Sequence, residues 1–328
     1  MKRIILGMTA LVLLLSTLAG CGKKEDLPTV SVNEVTHSVF YAPFYAAMEL
    51  GFFEEEGLKL ELTNGGGADK VMTAVLSGQS DIGLAGPEAC IYVHLEGRED
   101  APKIFAQLTK RDGSFLVGRT DEEFSWENLK GTTILGGRKG GVPEMTLEYV
   151  MRQNGVIPHE DAVVDTSIQF NMMAGAFTGG TGDYVALFEP TATQVVQEGK
   201  GYILASIGQE SGEIPYTAFF ANESYMEEHP EIIESMTRAI ARGQEWVLTH
   251  TAAEIAEAIE PQFPDTDLEI LETVCQRHLD IDAWNATPVM EPDALDRLMD
   301  VMEQAGELSE RVNFEDLVDN SWAEAVTE

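Results

Sequence analysis

The 328-residue sequence has few of the residues on which most enzyme and metal sites depend. It contains three cysteines and six histidines, and the histidines are scattered without the spacing of metal ligands. Cys90 and Cys275 are too few and too far apart for a disulfide framework or a metal cluster, so we expect each to be a small buried hydrophobe. Motifs of zinc proteases, thiol oxidoreductases, serine hydrolases and Walker A sites are absent. The sequence therefore predicts no enzyme, no cofactor and no metal.

Positive charge is also scarce. The chain has 21 lysines and arginines against 56 aspartates and glutamates, which gives a net charge of −35 at pH 7. This balance argues against nucleic acid as a partner and disfavours direct contact with an anionic bilayer. Apolar residues make up 44% and charged residues 23% of the chain, which excludes disordered, fibrous and disulfide-scaffold classes.

The N-terminus has the pattern of an export signal. Lys2 and Arg3 precede an apolar run from Ile4 to Leu18, which is too short to be a comfortable membrane span. No later segment approaches the length of a span, so we expect a soluble body outside the cytoplasm.

The apolar run ends in Leu18-Ala19-Gly20-Cys21, which resembles the lipobox of bacterial lipoproteins. The resemblance implies that residues 1–20 are a cleaved lipoprotein signal peptide and that Cys21 is acylated. Residues 21–28 would form a tether, and the lipid would hold the protein on the outer face of the cell membrane. The alternative is an ordinary cleaved signal with an incidental cysteine.

Short apolar strands alternate with helices from residue 29 to about residue 221. This alternation is typical of βαβ units and predicts an α/β fold with two mixed, mainly parallel sheets and flanking helices. After Ala218–Ala221 the pattern is helical only, with apolar faces such as Ile233, Met236 and Ile240. We expect this C-terminal helical segment to cover the first sheet.

A weak internal repeat indicates two similar lobes. Gly78-Gln79-Ser80-Asp81 leads into the strand 82–85 and then Gly86-Pro87-Glu88; Gly180-Thr181-Gly182-Asp183 leads into the strand 184–187 and then Phe188-Glu189-Pro190. Ligands of open α/β sheets bind beyond the carboxyl ends of the strands. Glu88 and Glu189 are therefore expected to face each other across a cleft, although local similarity by chance is an open alternative.

Aromatic residues mark the first strand-to-helix turn. His37 follows the first strand, where a pocket wall is expected, and Phe40 and Tyr41 offer rigid surface on which a planar ligand could stack. Phe170-Asn171 occupies the corresponding turn of the second lobe.

Two glycine-rich turns could bind a ligand through their backbone N–H groups. The loop 136–141 contains Gly137, Arg138 and Gly140 ahead of a helix, where free N–H groups and positive charge favour an anion. Gly66 and Gly67 repeat this pattern in the first lobe. A flexible, solvated loop is the alternative reading of 136–141.

The segments Tyr41–Ala47 and Gly51–Leu58 resemble the opening of solute-binding proteins of ABC importers, in the group that includes sulfonate-, nitrate- and thiamine-pyrimidine-binding proteins. The resemblance implies a type II periplasmic-binding-protein fold that closes on its ligand. Lobe 1 would comprise residues 29–112 and 216–328, and lobe 2 residues 113–215. The crossovers are expected near Thr109–Ser114 and Ser211–Thr217.

The resemblance also implies a function. We expect a monomeric receptor that captures a small organic solute, such as a pyrimidine or another nitrogen-containing vitamin-related compound, and delivers it to an ABC permease. The alternatives are binding of an anion such as a sulfonate or nitrate, and a pyrimidine-precursor synthase-like enzyme on the same fold. The expected ligand-binding residues are His37, Phe40, Tyr41, Gly66, Gly67, Pro87, Glu88, Gly137, Arg138, Gly140, Phe170, Asn171 and Glu189.

Overall fold

A computed structural model describes residues 27–327. The predicted signal peptide, Cys21 and most of the tether lie outside the described residues. The strands are β1 Thr29–Glu34, β2 Lys59–Asn64, β3 Ile82–Ala85, β4 Pro102–Thr109, β5 Ser114–Gly118, β6 Thr133–Leu135, β7 Val163–Asp165, β8 Tyr184–Phe188, β9 Tyr202–Ser206 and β10 Thr217–Asn222.

These strands form two five-stranded sheets of the same design. The first sheet has the order β2-β1-β3-β10-β4 and the second has the order β7-β6-β8-β5-β9. In the first sheet β10 is antiparallel to its neighbours β3 and β4, and in the second β5 is antiparallel to β8 and β9. The other pairs are parallel. The predicted α/β class with two mixed, mainly parallel sheets is confirmed.

The helices cover these sheets and fill the C-terminal third of the chain. They are α1 Ala42–Glu49, α2 Phe52–Glu55, α3 Ala68–Leu76, α4 Glu88–Leu95, α5 Val142–Gln153, α6 Met173–Thr178, α7 Thr191–Gln197, α8 Ile207–Ser211, α9 Glu223–Glu228, α10 Pro230–Thr249, α11 Ala252–Ile259, α12 Leu268–Asp280, α13 Pro292–Gln304, α14 Phe314–Leu317 and α15 Ser321–Thr327. Short 3₁₀ turns occur at Val39–Tyr41, Trp126–Leu129, Phe170–Met172 and Glu260–Gln262.

The repeat seen in the sequence corresponds to equivalent strands. Asp81 precedes β3 and accepts a hydrogen bond of 2.8 Å from the backbone N–H of Ser31 in β1. Asp183 precedes β8 and accepts one of 2.9 Å from the N–H of Thr133 in β6. Since β3 and β8 hold the same place in their sheets, each acid fixes the start of the same strand pair.

Two places in the predicted secondary structure need correction. The sequence pattern predicts a strand over residues 163–167, but β7 ends at Asp165, because the Asp165 side chain accepts from the N–H and the hydroxyl of Ser167 and turns the chain. The pattern also predicts a helix over residues 171–177, but this segment begins as a 3₁₀ turn and becomes α-helical only at Met173.

The chain passes between the sheets at two short crossovers. The first, residues 110–113, joins β4 to β5, and the second, residues 207–216, joins β9 to β10. The two crossovers are hydrogen-bonded to each other, because Ile214 N donates to Lys110 O (2.9 Å) and Tyr216 N donates to Thr109 O (3.2 Å). The exact lobe boundaries stay a prediction.

The C-terminal helices pack on the first sheet, as their apolar faces indicate. Ile233, Met236 and Ile240 of α10 are buried, and one apolar core runs from the first sheet into α10–α13. Two smaller apolar clusters lie on the faces of the second sheet. Cys90 and Cys275 are buried and unpaired within this packing.

Membrane association cannot be assigned to a helix of the described chain. Between residues 27 and 327 no helix combines the length and the apolar character that a membrane span requires.

The crossing of α1 and α10 depends on one glycine. A Cβ atom on Gly243 would lie 2.2 Å from the backbone oxygen of Pro43, whereas one on Gly175 in α6 would meet nothing within 4 Å. We therefore expect Gly243→Ala to lower the free energy of unfolding by about 1–3 kcal/mol through overpacking. Gly175→Ala, the matched helical control, should be neutral or stabilising, and urea unfolding of both variants checks the difference.

Candidate functional site: a pocket between the sheets

The carboxyl ends of the parallel strands from both sheets meet at one cavity. The segments after β1, β2 and β3 line it from one side, and those after β6 and β7, with the last residue of β8, line it from the other. Its volume is about 310 Å³, which suits a small organic molecule. The lining residues are Val35, Thr36, Tyr41, Gly66, Gly67, Ala68, Asp69, Lys70, Gly86, Glu88, Gly137, Arg138, Gly141, Val142, Pro143, Thr166, Ser167, Ile168, Gln169, Phe170, Phe188, Tyr216 and Thr217.

Aromatic rings from both sheets form much of the wall. The ring of Phe188 lies 5.5 Å from that of Phe170 and 6.0 Å from that of Tyr216, centroid to centroid. Tyr41 faces the same cavity and is 2% exposed. Such a wall can hold a planar ligand by stacking, because the rings are already fixed by their neighbours.

Glu88 places a buried carboxyl in the pocket wall. Its residue is 2% exposed, its Oε1 lies 3.4 Å from the N–H of Val142, and its Oε2 has no hydrogen-bond partner within residues 27–327. Burial raises the pKa of Glu88 to about 7, against the charge of Arg138 and the backbone N–H of Val142, which lower it. The carboxyl can therefore either accept or donate a hydrogen bond near neutral pH.

Charge of both signs lies on lining residues that are more exposed. Arg138 and Asp69, from opposite sides of the pocket, approach to 3.8 Å between Nε and Oδ1, and both side chains are about half exposed. The amides of the glycine loop are already partly engaged, since the N–H of Gly140 donates to Glu144 Oε2 at 3.0 Å. Arg138 supplies a positively charged side chain at this side of the pocket.

Seven of the predicted ligand-binding residues line this cavity and six do not. The seven are Tyr41, Gly66, Gly67, Glu88, Gly137, Arg138 and Phe170. The six that lie outside the lining are His37, Phe40, Pro87, Gly140, Asn171 and Glu189. Whether any of the thirteen contacts a ligand stays a prediction.

His37 supports the first turn from behind the pocket. Its Nδ1 lies 2.7 Å from Glu34 Oε1, and its Nε2 lies 2.8 Å from the backbone oxygen of Gln262. Burial lowers the pKa of His37, but the hydrogen bond and charge of Glu34 outweigh it and the net shift is upward. Val35 and Thr36, its chain neighbours, take the expected place in the pocket wall.

Phe40 is a packing residue between the two sheets. It is fully buried, and its ring lies 5.6 Å from the rings of Phe188 and His278 and 5.7 Å from that of Tyr216. It thus stands directly behind two rings of the pocket wall.

Glu189 does not pair with Glu88 across the cavity. Its carboxylate accepts from the N–H and hydroxyl of Thr193 at 2.8 and 2.9 Å and from Arg277 of α12, while its backbone oxygen accepts from the Ser38 hydroxyl at 2.6 Å. The expected opposition of the two acids is corrected accordingly: Glu189 ties the second sheet to α12 and to the first turn.

Several pocket residues were missed by the sequence analysis. Phe188, Tyr216 and the segment 166–169 lie at strand ends or at a crossover. The available signal was positional, because ligands of α/β sheets bind beyond strand carboxyl ends. Pattern alone did not distinguish Phe188 from a core residue.

One further group of side chains has atoms that could hold a cation. Ligand atoms of Glu144, Glu148 and His159 lie within 4.8 Å of one another. Glu148 is already engaged, since its two oxygens pair with Arg152 (2.8 Å) and His159 (2.7 Å). None of the three lines the pocket. We read this group as a hydrogen-bonded network that joins α5 to the loop before β7.

The chain matches the profile of a known protein family. The profile described as "NMT1/THI5 like" matches residues 39–253, more than half of the chain. The chain belongs to the NMT1/THI5-like family. This match covers all of the residues that line the pocket except Val35 and Thr36.

Relatives and solved structures agree with this family and with its fold. The chain is 44% identical over 317 residues, 96% of its own length and 95% of the other, to YtlA of Bacillus subtilis (strain 168), which is provisionally named a binding protein. A ligand-binding component of an ABC-type import system from Staphylococcus aureus, solved with zinc bound, superposes with a TM-score of 0.74 at 13% identity, covering 91% of this chain and 99% of that one. The alkanesulfonate-binding protein SsuA of Xanthomonas axonopodis pv. citri, bound to MOPS, superposes with a TM-score of 0.72 at 15% identity. The superposition covers 89% of this chain and 98% of that one. At such identity the two structures show the fold alone, which is that of periplasmic binding proteins.

The pKa of Glu88 in this NMT1/THI5-like chain predicts how stability depends on pH. A folded pKa of about 7 against an ordinary 4.5 means that Glu88 lowers the stability of the unliganded protein as pH rises from about 4.5 to 7, with no further loss from this group above. We expect Glu88→Gln to remove this loss and to raise the free energy of unfolding at about pH 8 by roughly 1–3 kcal/mol.

Urea unfolding across this pH range measures the effect, and Glu61→Gln, which removes an exposed carboxyl on β2, controls for the loss of one charge. A gain for Glu88→Gln that is the same at low and high pH would contradict the assignment.

Proposed function

We propose that this protein is the extracytoplasmic solute-binding component of an ABC importer and that its solute is a small nitrogen-containing ring compound, such as a pyrimidine. The observation that carries the proposal is the unpartnered Oε2 of Glu88, buried in the wall of a pocket with aromatic sides. The names of YtlA and of the S. aureus import component support a receptor rather than an enzyme.

The chemistry of Glu88 favours a ligand with N–H donors. A buried carboxyl oxygen without a partner is unfavourable, and an amino group or a ring N–H of a ligand would supply the missing hydrogen bond. The rings of Tyr41, Phe170 and Phe188 would hold the planar part of the same molecule. A cavity of about 310 Å³ accommodates one such ring with small substituents.

A small organic anion is the second candidate. Arg138 and Lys70 line the pocket, and SsuA is named for binding alkanesulfonates. Against this candidate stand the carboxyl of Glu88, which would repel an anion when ionised, and the engagement of the Gly140 amide by Glu144. Nitrate would fill only a small part of the cavity.

The two candidates differ in their dependence on Glu88 and Arg138. We expect 4-aminopyrimidine to raise the melting temperature of the wild-type protein and Glu88→Gln to weaken its affinity about 10-fold or more, because the amide presents an N–H₂ group or a weaker acceptor. Arg138→Gln should change that affinity by less than about threefold. Titration calorimetry measures each affinity.

Methanesulfonate and nitrate are the comparison ligands, and Lys130→Gln, at an exposed lysine outside the pocket, is the matched control for Arg138→Gln. Methanesulfonate binding that is lost with Arg138→Gln and kept with Glu88→Gln would reject the nitrogen-containing ligand in favour of an anion. Failure of every probe would reject both candidates.

We propose further that Cys21 is acylated and anchors the protein on the outer face of the cell membrane. The motif Leu18-Ala19-Gly20-Cys21 supports this proposal. In a Gram-positive host we expect labelled palmitate to be incorporated into the wild-type protein and not into Cys21→Ala, which should be released into the medium. Cys90→Ala, at a buried cysteine, is the control. Membrane retention of Cys21→Ala would contradict the anchor.

A further inference from the structure

Gly86 lies directly against the carboxyl of Glu88 in the pocket wall. A Cβ atom on Gly86 would lie 1.9 Å from Oε2, 2.8 Å from Cδ and 3.0 Å from Oε1 of Glu88. These are the three atoms nearest to that position, and both residues line the cavity. The Glu88 carboxyl therefore fills the space that a side chain at position 86 would need.

The backbone of Gly86 does not itself require glycine. Its φ lies outside the left-handed region that favours this residue. Pro87 follows, and a residue before proline favours an extended backbone that any side chain tolerates. The missing side chain at position 86 is thus important for the space that it leaves and not for the shape of the turn.

The second sheet fills the corresponding position with an aromatic ring. Gly86 comes five residues after Asp81, which fixes the start of β3, and Phe188 comes five residues after Asp183, which fixes the start of β8. Phe188 adds its ring to the pocket wall, 5.5 Å from the ring of Phe170. At equivalent positions one sheet therefore presents a ring, and the other presents a gap that a carboxyl fills.

The cavity is the open side of the Glu88 carboxyl. Glu88 is the first residue of α4, whose next three residues are buried, and its Oε1 lies 3.4 Å from the N–H of Val142. The carboxyl is the far end of a flexible side chain, so it can rotate when position 86 becomes larger. A side chain at position 86 would push it into the cavity, where water and Arg138 stabilise its charge.

We propose that Gly86 is a positioning residue of the ligand site, whose missing side chain creates the space in the pocket wall in which the Glu88 carboxyl lies. Position 86 thereby determines specificity, because its size decides whether this carboxyl belongs to the wall or occupies the cavity. The ligand part of the proposal rests on the proposed function, whereas the position of the carboxyl is a property of the protein without ligand.

Urea unfolding at pH 5 and pH 8 tests the position of the carboxyl. Because the folded pKa of Glu88 is about 7 against an ordinary 4.5, the unfolding equilibrium constant of the wild type should rise about 50-fold more between these pH values than that of Glu88→Gln. In Gly86→Ala the carboxyl becomes hydrated and its folded pKa falls, so we expect this extra rise to shrink to about fivefold or less. Adding Gly86→Ala to Glu88→Gln should leave the pH dependence unchanged.

Gly83→Ala, on the same strand, is the matched control. A Cβ atom on Gly83 would lie 2.4 Å from the ring of Phe220, so this variant is overpacked against a ring and not against Glu88. It should be less stable than the wild type at both pH values and should keep the extra rise.

The other groups near Glu88 do not titrate between pH 5 and 8. They are Arg138 in the loop before α5, Tyr41 in the first turn, Tyr216 at the second crossover, and Cys90 and Tyr92 in α4. Arginine is charged throughout this range. Burial raises the pKa of the three tyrosines and of Cys90 above their ordinary values, so these groups stay protonated.

A Gly86→Ala protein that keeps the full extra rise would overturn the proposal. If Gly86→Ala does not fold, the double variant Gly86→Ala with Glu88→Ala decides, because removal of the carboxyl frees the space for the new Cβ atom and should restore folding. Failure of this double variant to fold, when Glu88→Ala alone folds, would also overturn it.

The same variants are then titrated with 4-aminopyrimidine. Gly86→Ala should weaken its affinity about tenfold, as is expected for Glu88→Gln, and Gly83→Ala should change it by less than about threefold. If the wild type does not bind this probe, the proposed ligand class fails and the pH data alone decide on Gly86. If Gly86→Ala binds the probe as tightly as the wild type does, position 86 does not determine specificity.

Discussion

The junction between the two sheets is the constraint on which the rest of the structure depends. Only two short crossovers join the sheets covalently, so side-chain contacts must fix how the sheets face each other. Glu189 bound to Arg277 and Ser38, and Tyr92 bound to Gly140, are such contacts. They hold the carboxyl ends of the two sets of parallel strands on opposite sides of one cavity.

This geometry places an unfavourable group in the wall of the cavity. Glu88 is buried with one oxygen unpartnered, although burial makes its ionised form unfavourable. A stability-optimised pocket would carry an amide or an apolar side chain there. The free-energy cost of an unpaired buried acid is smaller where a bound molecule supplies its hydrogen bond. For this reason our choice of ligand follows from Glu88 and not from the more exposed Arg138.

The fold could be read from the sequence because its signals are local. The alternation of short apolar strands with helices, the helical pattern after residue 221 and the repeated acid before β3 and β8 each depend on a few neighbouring residues. The glycine loop and Glu88 were also found, since strand carboxyl ends are recognisable along the chain. Boundaries failed where a side chain redirected the backbone, as at Asp165.

The site was harder to predict because the role of each residue depends on contacts with residues far away in the sequence. Glu189 looks like Glu88 in its local setting, but Arg277, on a helix of the C-terminal segment, and Ser38, in the first turn, give it a structural role. His37 is likewise held by Gln262, and Phe40 by Phe188 and His278. A strand-end position therefore predicts that a residue is near the pocket, but the identity of its distant partner decides whether its polar atoms remain free for a ligand. Of Glu88 and Glu189, which occupy matching positions, Glu88 is the one whose carboxyl keeps an oxygen without a partner in the described structure.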